Sequence, residues 1–197
     1  MKDNMEWFKL VIGWVVATMH AEPQMKKPFN PILGETFQGS FGNYEIVVEQ
    51  ISHHPPVSAF QIFNPKQKKA PFIDGHFRFE ASTGLRKLVG SKKGVIWVTF
   101  PDTKQVVEAV TFPKIEFHGM MKGTRTANFT GDIKVKDDKN GFYADLIVCP
   151  DKKGWFKKMF SSVKADKLEG IITNCRNLDF RDQINTDRKK LIKDSDG

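Results

Sequence analysis

The sequence predicts a mainly β domain with a single N-terminal helix, built on an antiparallel sheet that curls or closes. Two observations carry this. Between Glu35 and Asn174 apolar residues recur in many short runs, several with alternate positions polar, and Gly, Pro, Asn and Asp punctuate them. The one stretch whose apolar residues crowd as on a helix lies at the start, residues 3–20.

In that helix Asp3 or Asn4 can supply the N-cap. Trp7, Phe8, Leu10, Val11, Trp14, Val15 and Val16 occupy so much of its circumference that it must be buried or face an apolar cavity. Pro23 ends it, and a proline-rich loop follows. "NYEIVVEQI" reads as a strand, preceded by a Gly42-Asn43 hairpin turn, and "VSAFQIF" as the next, closed by Asn64-Pro65. In "FIDGHFRFEA" Ile73, Gly75, Phe77 and Phe79 fall on one side, with Asp74, His76, Arg78 and Glu80 on the other. "GVIWVTF", "QVVEAVTF", "KIEFHGMM" and "RTANFTGDIKV" continue the series. "KDDKNG" is a turn, after which Phe142, Ala144, Leu146 and Val148 share a face; "KLEGIITN" is a late strand. The chain is expected to be one domain over 1–197, with a helix at 3–20, a β-rich core at 35–175 and a charged loop or tail at 177–197.

Composition narrows the class. The 197 residues are 40% hydrophobic, enough for a core, and the interior leans dry because Phe numbers 17 against 2 Tyr. The net charge of +8 points to an anionic partner: nucleic acid, an acidic membrane surface or a phosphorylated ligand. The lysines are scattered through turns and no nucleic-acid recognition motif occurs, so nucleic acid is not expected. Cys149 and Cys175 form no zinc-type spacing and read as free thiols of a reducing compartment. The longest apolar run, Leu10 to Met19, is too short to span a bilayer. Asp3 and Glu6 beside Lys2 and Lys9 deny it the basic flank of a signal peptide. The expected location is cytoplasmic, and no cofactor is implied.

Two segments stand out. In "KKPFNPILGETF" prolines brace Asn30 on both sides and Gly34 permits an unusual turn or a close approach. It is either a rigid structural loop or one that holds Lys27 and backbone N–H groups toward an anion. In "EQISHHPPVSAF" His53-His54 meets Pro55-Pro56 at a strand end. Neighbouring strand residues point to opposite faces and no third histidine has a supporting spacing, which disfavours a metal. Two readings stay open on equal terms: histidines satisfied by structural hydrogen bonds, or imidazoles that charge beside a phosphate. Pro55 biases His54 to an extended conformation.

Together the two segments resemble the ligand-binding domain of the oxysterol-binding-protein family. Its hallmark Glu-Gln-Val-Ser-His-His-Pro-Pro string stands here as Glu49 to Pro56 with Ile51 in place of Val, and its Lys-Pro-x-Asn-Pro-x-Leu-Gly-Glu loop is intact from Lys27 to Glu35. Weaker resemblance extends from the helix to about Asn174. The resemblance implies a nearly closed antiparallel β-barrel around an apolar tunnel that takes one lipid at a time: a sterol, phosphatidylserine or phosphatidylinositol 4-phosphate. It implies that Lys27, His53 and His54 hold the 4-phosphate with Asn30 beside the headgroup. It further implies a lid before the first helix and, after Gly170, a Gly-x-Trp strand and a helix bearing more headgroup charges. Residues 1–197 contain neither, so the barrel is expected to be incomplete at both ends and open to self-association.

"DKKGWFKKMF", Asp151 to Phe160, is either a surface turn whose aromatics tuck into the barrel or a membrane-touching element using Lys153, Trp155, Phe156 and Lys157. The function expected is non-catalytic lipid transfer by a peripheral protein of organelle membranes. The alternatives are a histidine-dependent phosphate-ester hydrolase, with Ser52 or Glu49 assisting, and a phosphoinositide-binding targeting module without transfer.

Overall fold

The computed structural model describes residues 3–21, 30–84, 87–119, 124–148 and 168–174. Helix α1, Asn4–Thr18, begins at Asp3, whose Oδ1 accepts from the Glu6 N–H at 2.7 Å, and runs into one 3-10 turn, Met19–Ala21. The cap satisfies a backbone donor that the first helical turn leaves unpaired.

Ten strands follow among the described residues: β1 Thr36–Phe41, β2 Tyr44–His53, β3 Pro56–Phe63, β4 Phe72–Thr83, β5 Lys87–Phe100, β6 Gln105–Thr111, β7 Lys114–His118, β8 Thr126–Asp137, β9 Phe142–Val148 and β10 Leu168–Asn174. They form one antiparallel sheet in the order β1-β2-β3-β4-β5-β6-β8-β9-β10. β7 lies end to end with β6 between β5 and β8: β6 pairs with Ile96–Phe100 of β5, and β7 with Lys87–Gly90. Phe112-Pro113 divides the two, since Pro113 has no N–H to give the ladder.

Register sorts the residues by face. One cross-strand row reads Gly39, Ile46, Ile62, Ile73, Val98, Val107; a row of opposite parity reads Gln61, Asp74, Trp97, Glu108, Lys136, Tyr143. The sheet is thus apolar on one face and largely polar on the other. Helix α1 lays Phe8, Val11, Ile12 and Val15 on the apolar face over β5, β6, β8 and β9, against Ile96, Val98, Phe100, Val107, Ala109, Ile133, Val135, Ala144 and Val148. Trp7 packs on Phe100 and Phe8 on Phe142. Toward β1 the same face lies open among the described residues: Phe79 is 51% exposed, Phe37 61% and Phe41 82%.

A buried polar knot ties the helix to the sheet. Gln105 Nε2 donates to the Asn4 carbonyl at 2.7 Å and to Asp137 Oδ2 at 2.8 Å, and the Asn140 backbone and side-chain N–H groups donate to Asp137 at 3.1 and 2.7 Å. Both Gln105 and Asp137 are fully buried. This knot keeps Asp137 inside β8, so the expected "KDDKNG" turn tightens to the four residues after it. β5 also starts earlier than "GVIWVTF", because β4 pairs with it from Leu88 onward and β7 flanks Lys87–Gly90 on its other side. Leu10, grouped by sequence with the helix's apolar residues, is 45% exposed, while Ile12 is buried.

Candidate functional site

The site is built on the β2–β3 hairpin. β2 ends at His53 and β3 starts at Pro56, opposite it, leaving His54 and Pro55 at the tip with a cis peptide between them. Pro56 sits at the first position of its strand, where a missing N–H is tolerated.

A β-bulge precedes the tip. Gln50 pairs with Ser58, but Ser52 pairs with Val57, so Ile51 is an extra residue on β2. An inserted residue reverses which face the following side chains take. Without it His53 would fall on the polar face. With it His53 stands opposite Pro56 and shares the parity of Gln50, Ser58 and Phe60, the apolar face. The His53 and His54 ring centroids are 4.4 Å apart with their planes at 59°, and both residues are exposed. Adjacent strand residues were expected to diverge; bulge and turn bring these two rings together instead.

The loop before β1 is fastened to the same strand. Gly34, at φ 79°, donates its N–H to the Gln50 carbonyl at 2.8 Å, and the Gln50 N–H donates to the Glu35 carbonyl at 3.0 Å. A positive φ is what Gly supplies without steric cost. Within the loop the Glu35 N–H donates to the Ile32 carbonyl at 3.0 Å while the Ile32 N–H donates to Glu35 Oε2 at 2.9 Å. Asn30 is exposed at the start of this segment. Lys27 lies outside the described residues, as do Lys153, Trp155, Phe156 and Lys157.

Gln50, Ser58 and Glu35 were not singled out by sequence. Gln50 is 3% exposed; its Nε2 donates to the Ser52 carbonyl at 2.8 Å and its Oε1 accepts from Ser58 Oγ at 2.5 Å. The signal was present: Ile46, Val48 and Gln50 share one strand parity, and a polar residue on an apolar face is the informative exception.

Chemically, the hairpin offers two clustered imidazoles to an anion at the rim of an apolar face. Glu49 pairs with Ala59 and Ser52 with Val57, positions of the opposite parity to Pro56, so neither candidate nucleophile or base shares a face with His53. No group of three His, Cys, Asp or Glu side chains among the described residues could hold a metal ion. No helix among them is long and apolar enough to cross a membrane.

Fold and site define a β-rich domain with a half-covered apolar face and a paired-imidazole turn at its rim. The family model described as oxysterol-binding protein matches residues 1–181, and the chain belongs to that family. It is 33% identical over 183 residues to oxysterol-binding protein 9 of Dictyostelium discoideum, covering 91% of this chain and 42% of that relative. It is 31% identical over 199 residues to mouse oxysterol-binding protein-related protein 5, covering 94% of this chain and 21% of the other. Among solved structures it is similar to the Osh1 ORD domain in complex with cholesterol (TM-score 0.69, 23% identity, 89% of this chain and 40% of that one). It is also similar to the Osh3 ORD of Saccharomyces cerevisiae in complex with PI(4)P (TM-score 0.57, 20% identity, 78% and 42%). The chain therefore spans less than half the length of the relatives it matches.

Proposed function

We propose that this chain binds a membrane lipid and carries it between membranes without catalysis. The lipid's apolar body lies on the helix-side face of the sheet, and an anionic headgroup is held at the β2–β3 turn. The ligand class is a sterol, a phosphorylated phosphoinositide such as phosphatidylinositol 4-phosphate, or both in turn. His53 and His54 supply charge-assisted hydrogen bonds to the phosphate, Lys27 adds a fixed cation, and Asn30 lies beside the headgroup. The carrying observation is the convergence of the two imidazoles, 4.4 Å apart, on a strand fastened through Gln50 to the Asn30–Glu35 loop.

The physical reason for transfer is a lowered barrier. A lipid tail in water costs about 0.8 kcal/mol per CH₂, and an apolar surface removes that cost during transit. The headgroup keeps its charge and stays at the rim, where imidazolium and ammonium groups replace part of its water. The net charge of +8 favours brief docking on acidic leaflets. The phosphoinositides and sterols seen in Osh3 and Osh1 support the ligand class.

The test is lipid extraction from phosphatidylcholine vesicles containing either phosphatidylinositol 4-phosphate or cholesterol. His53→Ala/His54→Ala is expected to lose phosphoinositide uptake by about tenfold or more while cholesterol uptake persists. Equal phosphoinositide uptake by wild type and variant would remove the imidazoles from the site. Steady release of inorganic phosphate from the same vesicles would replace transfer with hydrolysis.

A further inference from the structure

The histidine turn needs more than its own prolines to present both rings to one ligand. The bulge at Ile51 is the element that puts His53 on the apolar face, and a bulge is a local defect in the ladder. Something must hold it in register, because a one-residue slip returns every following side chain to the other face.

We infer that the Gln50 side chain is the positioning residue of the headgroup site, locking the bulge and with it the face on which His53 stands. This rests on the headgroup reading above. Gln50 makes four hydrogen bonds that span the site. Its Nε2 reaches over the bulge to the Ser52 carbonyl at 2.8 Å, and its Oε1 is held by Ser58 Oγ on β3 at 2.5 Å. Its main-chain N–H and carbonyl bind Glu35 and Gly34, at 3.0 and 2.8 Å. The residue is 3% exposed, so its side-chain amide is shielded from most water, and an unmet donor or acceptor there is costly. One side chain thus fixes the bulge, while its own backbone fixes the loop that begins at Asn30. The two motif segments are mechanically one unit, and Gln50 is their junction.

The amide chemistry is specific. The oxygen must accept from Ser58 while the nitrogen donates to a carbonyl, so only a side chain with both functions on one carbon serves. Gln50→Glu keeps size and the Ser58 bond but sets a carboxylate oxygen against the Ser52 carbonyl. Gln50→Met keeps volume and loses both bonds. Ser58→Ala frees the amide oxygen while leaving Gln50 in place.

The experiment measures two quantities on the whole chain. The first is extraction of phosphatidylinositol 4-phosphate from phosphatidylcholine vesicles. The second, without lipid, is the nuclear Overhauser contact between the His53 and His54 rings, which a merely structural role elsewhere would not move. Gln50→Glu and Gln50→Met are expected to lose the ring–ring contact and to extract about tenfold less phosphoinositide, with amide resonances of β5, β6 and β8 unchanged; Ser58→Ala is expected to fall between them and wild type. An intact ring contact with wild-type extraction in a folded Gln50→Glu or Gln50→Met variant overturns the inference. If both Gln50 variants unfold, Ser58→Ala decides by the same two readouts. If the wild type itself extracts no phosphoinositide, the headgroup reading fails, and the ring contact alone still reports whether Gln50 positions the histidines.

Discussion

At the residue scale, charge and burial decide what each group can do. Lys136 Nζ donates to Asp138 Oδ2 at 2.5 Å and lies 3.3 Å from Glu108 Oε2; the Tyr143 hydroxyl donates to Asp138 Oδ1 at 2.9 Å. The Lys136 hydrogen bond, against a smaller effect of burial, holds the Asp138 carboxyl below its ordinary value, and Tyr143 adds to this. In return the bond from Asp138 raises the Lys136 ammonium above its own. The signs follow. A carboxyl lowered on folding contributes stability above the ordinary carboxylate range and loses it as pH falls through the folded value. An ammonium raised on folding contributes below the ordinary lysine value and loses it as pH climbs through the raised one. The cluster therefore stabilises across neutral pH and fails at both ends. Asp138 is 56% exposed, so water screens the pair and its worth is under about 1 kcal/mol. Urea midpoints measured from acid to neutral pH are expected to show a shallower acid limb in Asp138→Asn than in wild type; parallel limbs would deny the cluster a role.

At the element scale, helix α1 is the sheet's only helical cover among the described residues. Phe8 is fully buried against the sheet, its ring centroid 5.7 Å from that of Phe142 on β9, whereas Leu10 is 45% exposed on the same helix. Phe8→Ala is expected to cost about 3–5 kcal/mol in urea unfolding, because the sheet cannot collapse into the space left, and Leu10→Ala under about 1 kcal/mol. Equal costs would mean that the helix does not pack by this face. Sequence made these elements legible where period and face agreed: residues 73–79 alternate in the structure as they do on paper, and Asp3 caps where a cap was sought. It failed where a partner, not the run itself, makes the strand. The first half of β5, "KLVGSKK", sets Leu88 and Val89 among glycine, serine and lysines, and it is made regular by β4 along its length with β7 beside Lys87–Gly90. It failed again at the bulge: nothing in "QISHH" announces that Ile51 is skipped, so the two rings were expected on opposite faces. The buried Gln50 was the readable trace of that irregularity, a polar side chain at an inward position with no reason to be there unless something irregular lay next to it.

At the scale of the whole molecule, one apolar face serves two ends. Over β5, β6, β8 and β9 it is a core, sealed by α1; over β1 to β4 it carries Phe37, Phe41 and Phe79, more than half exposed among the described residues, Phe79 nearest the His53 end of the hairpin and Phe41 at the other end of β2. Monomeric proteins rarely leave contiguous apolar surface uncovered without use. On the proposed function that surface is where the lipid's body lies, so its aromatics contribute to ligand uptake and little to folding. Phe37→Ser and Phe79→Ser separate the two roles. Each ring is already largely in contact with water, so its loss is expected to move the urea midpoint by no more than about 0.5 kcal/mol of stability. Each would forfeit on the order of 1–1.5 kcal/mol of apolar contact with a bound sterol, close to tenfold in cholesterol extraction from phosphatidylcholine vesicles. Phe8→Ala should show the opposite balance, a large loss of stability with uptake falling only as the folded fraction falls. Unchanged cholesterol uptake in both Phe37→Ser and Phe79→Ser would move the lipid off this half of the sheet. A loss of stability as large as that of Phe8→Ala would show that masking by other parts of the protein, not a ligand, is what these phenylalanines are for.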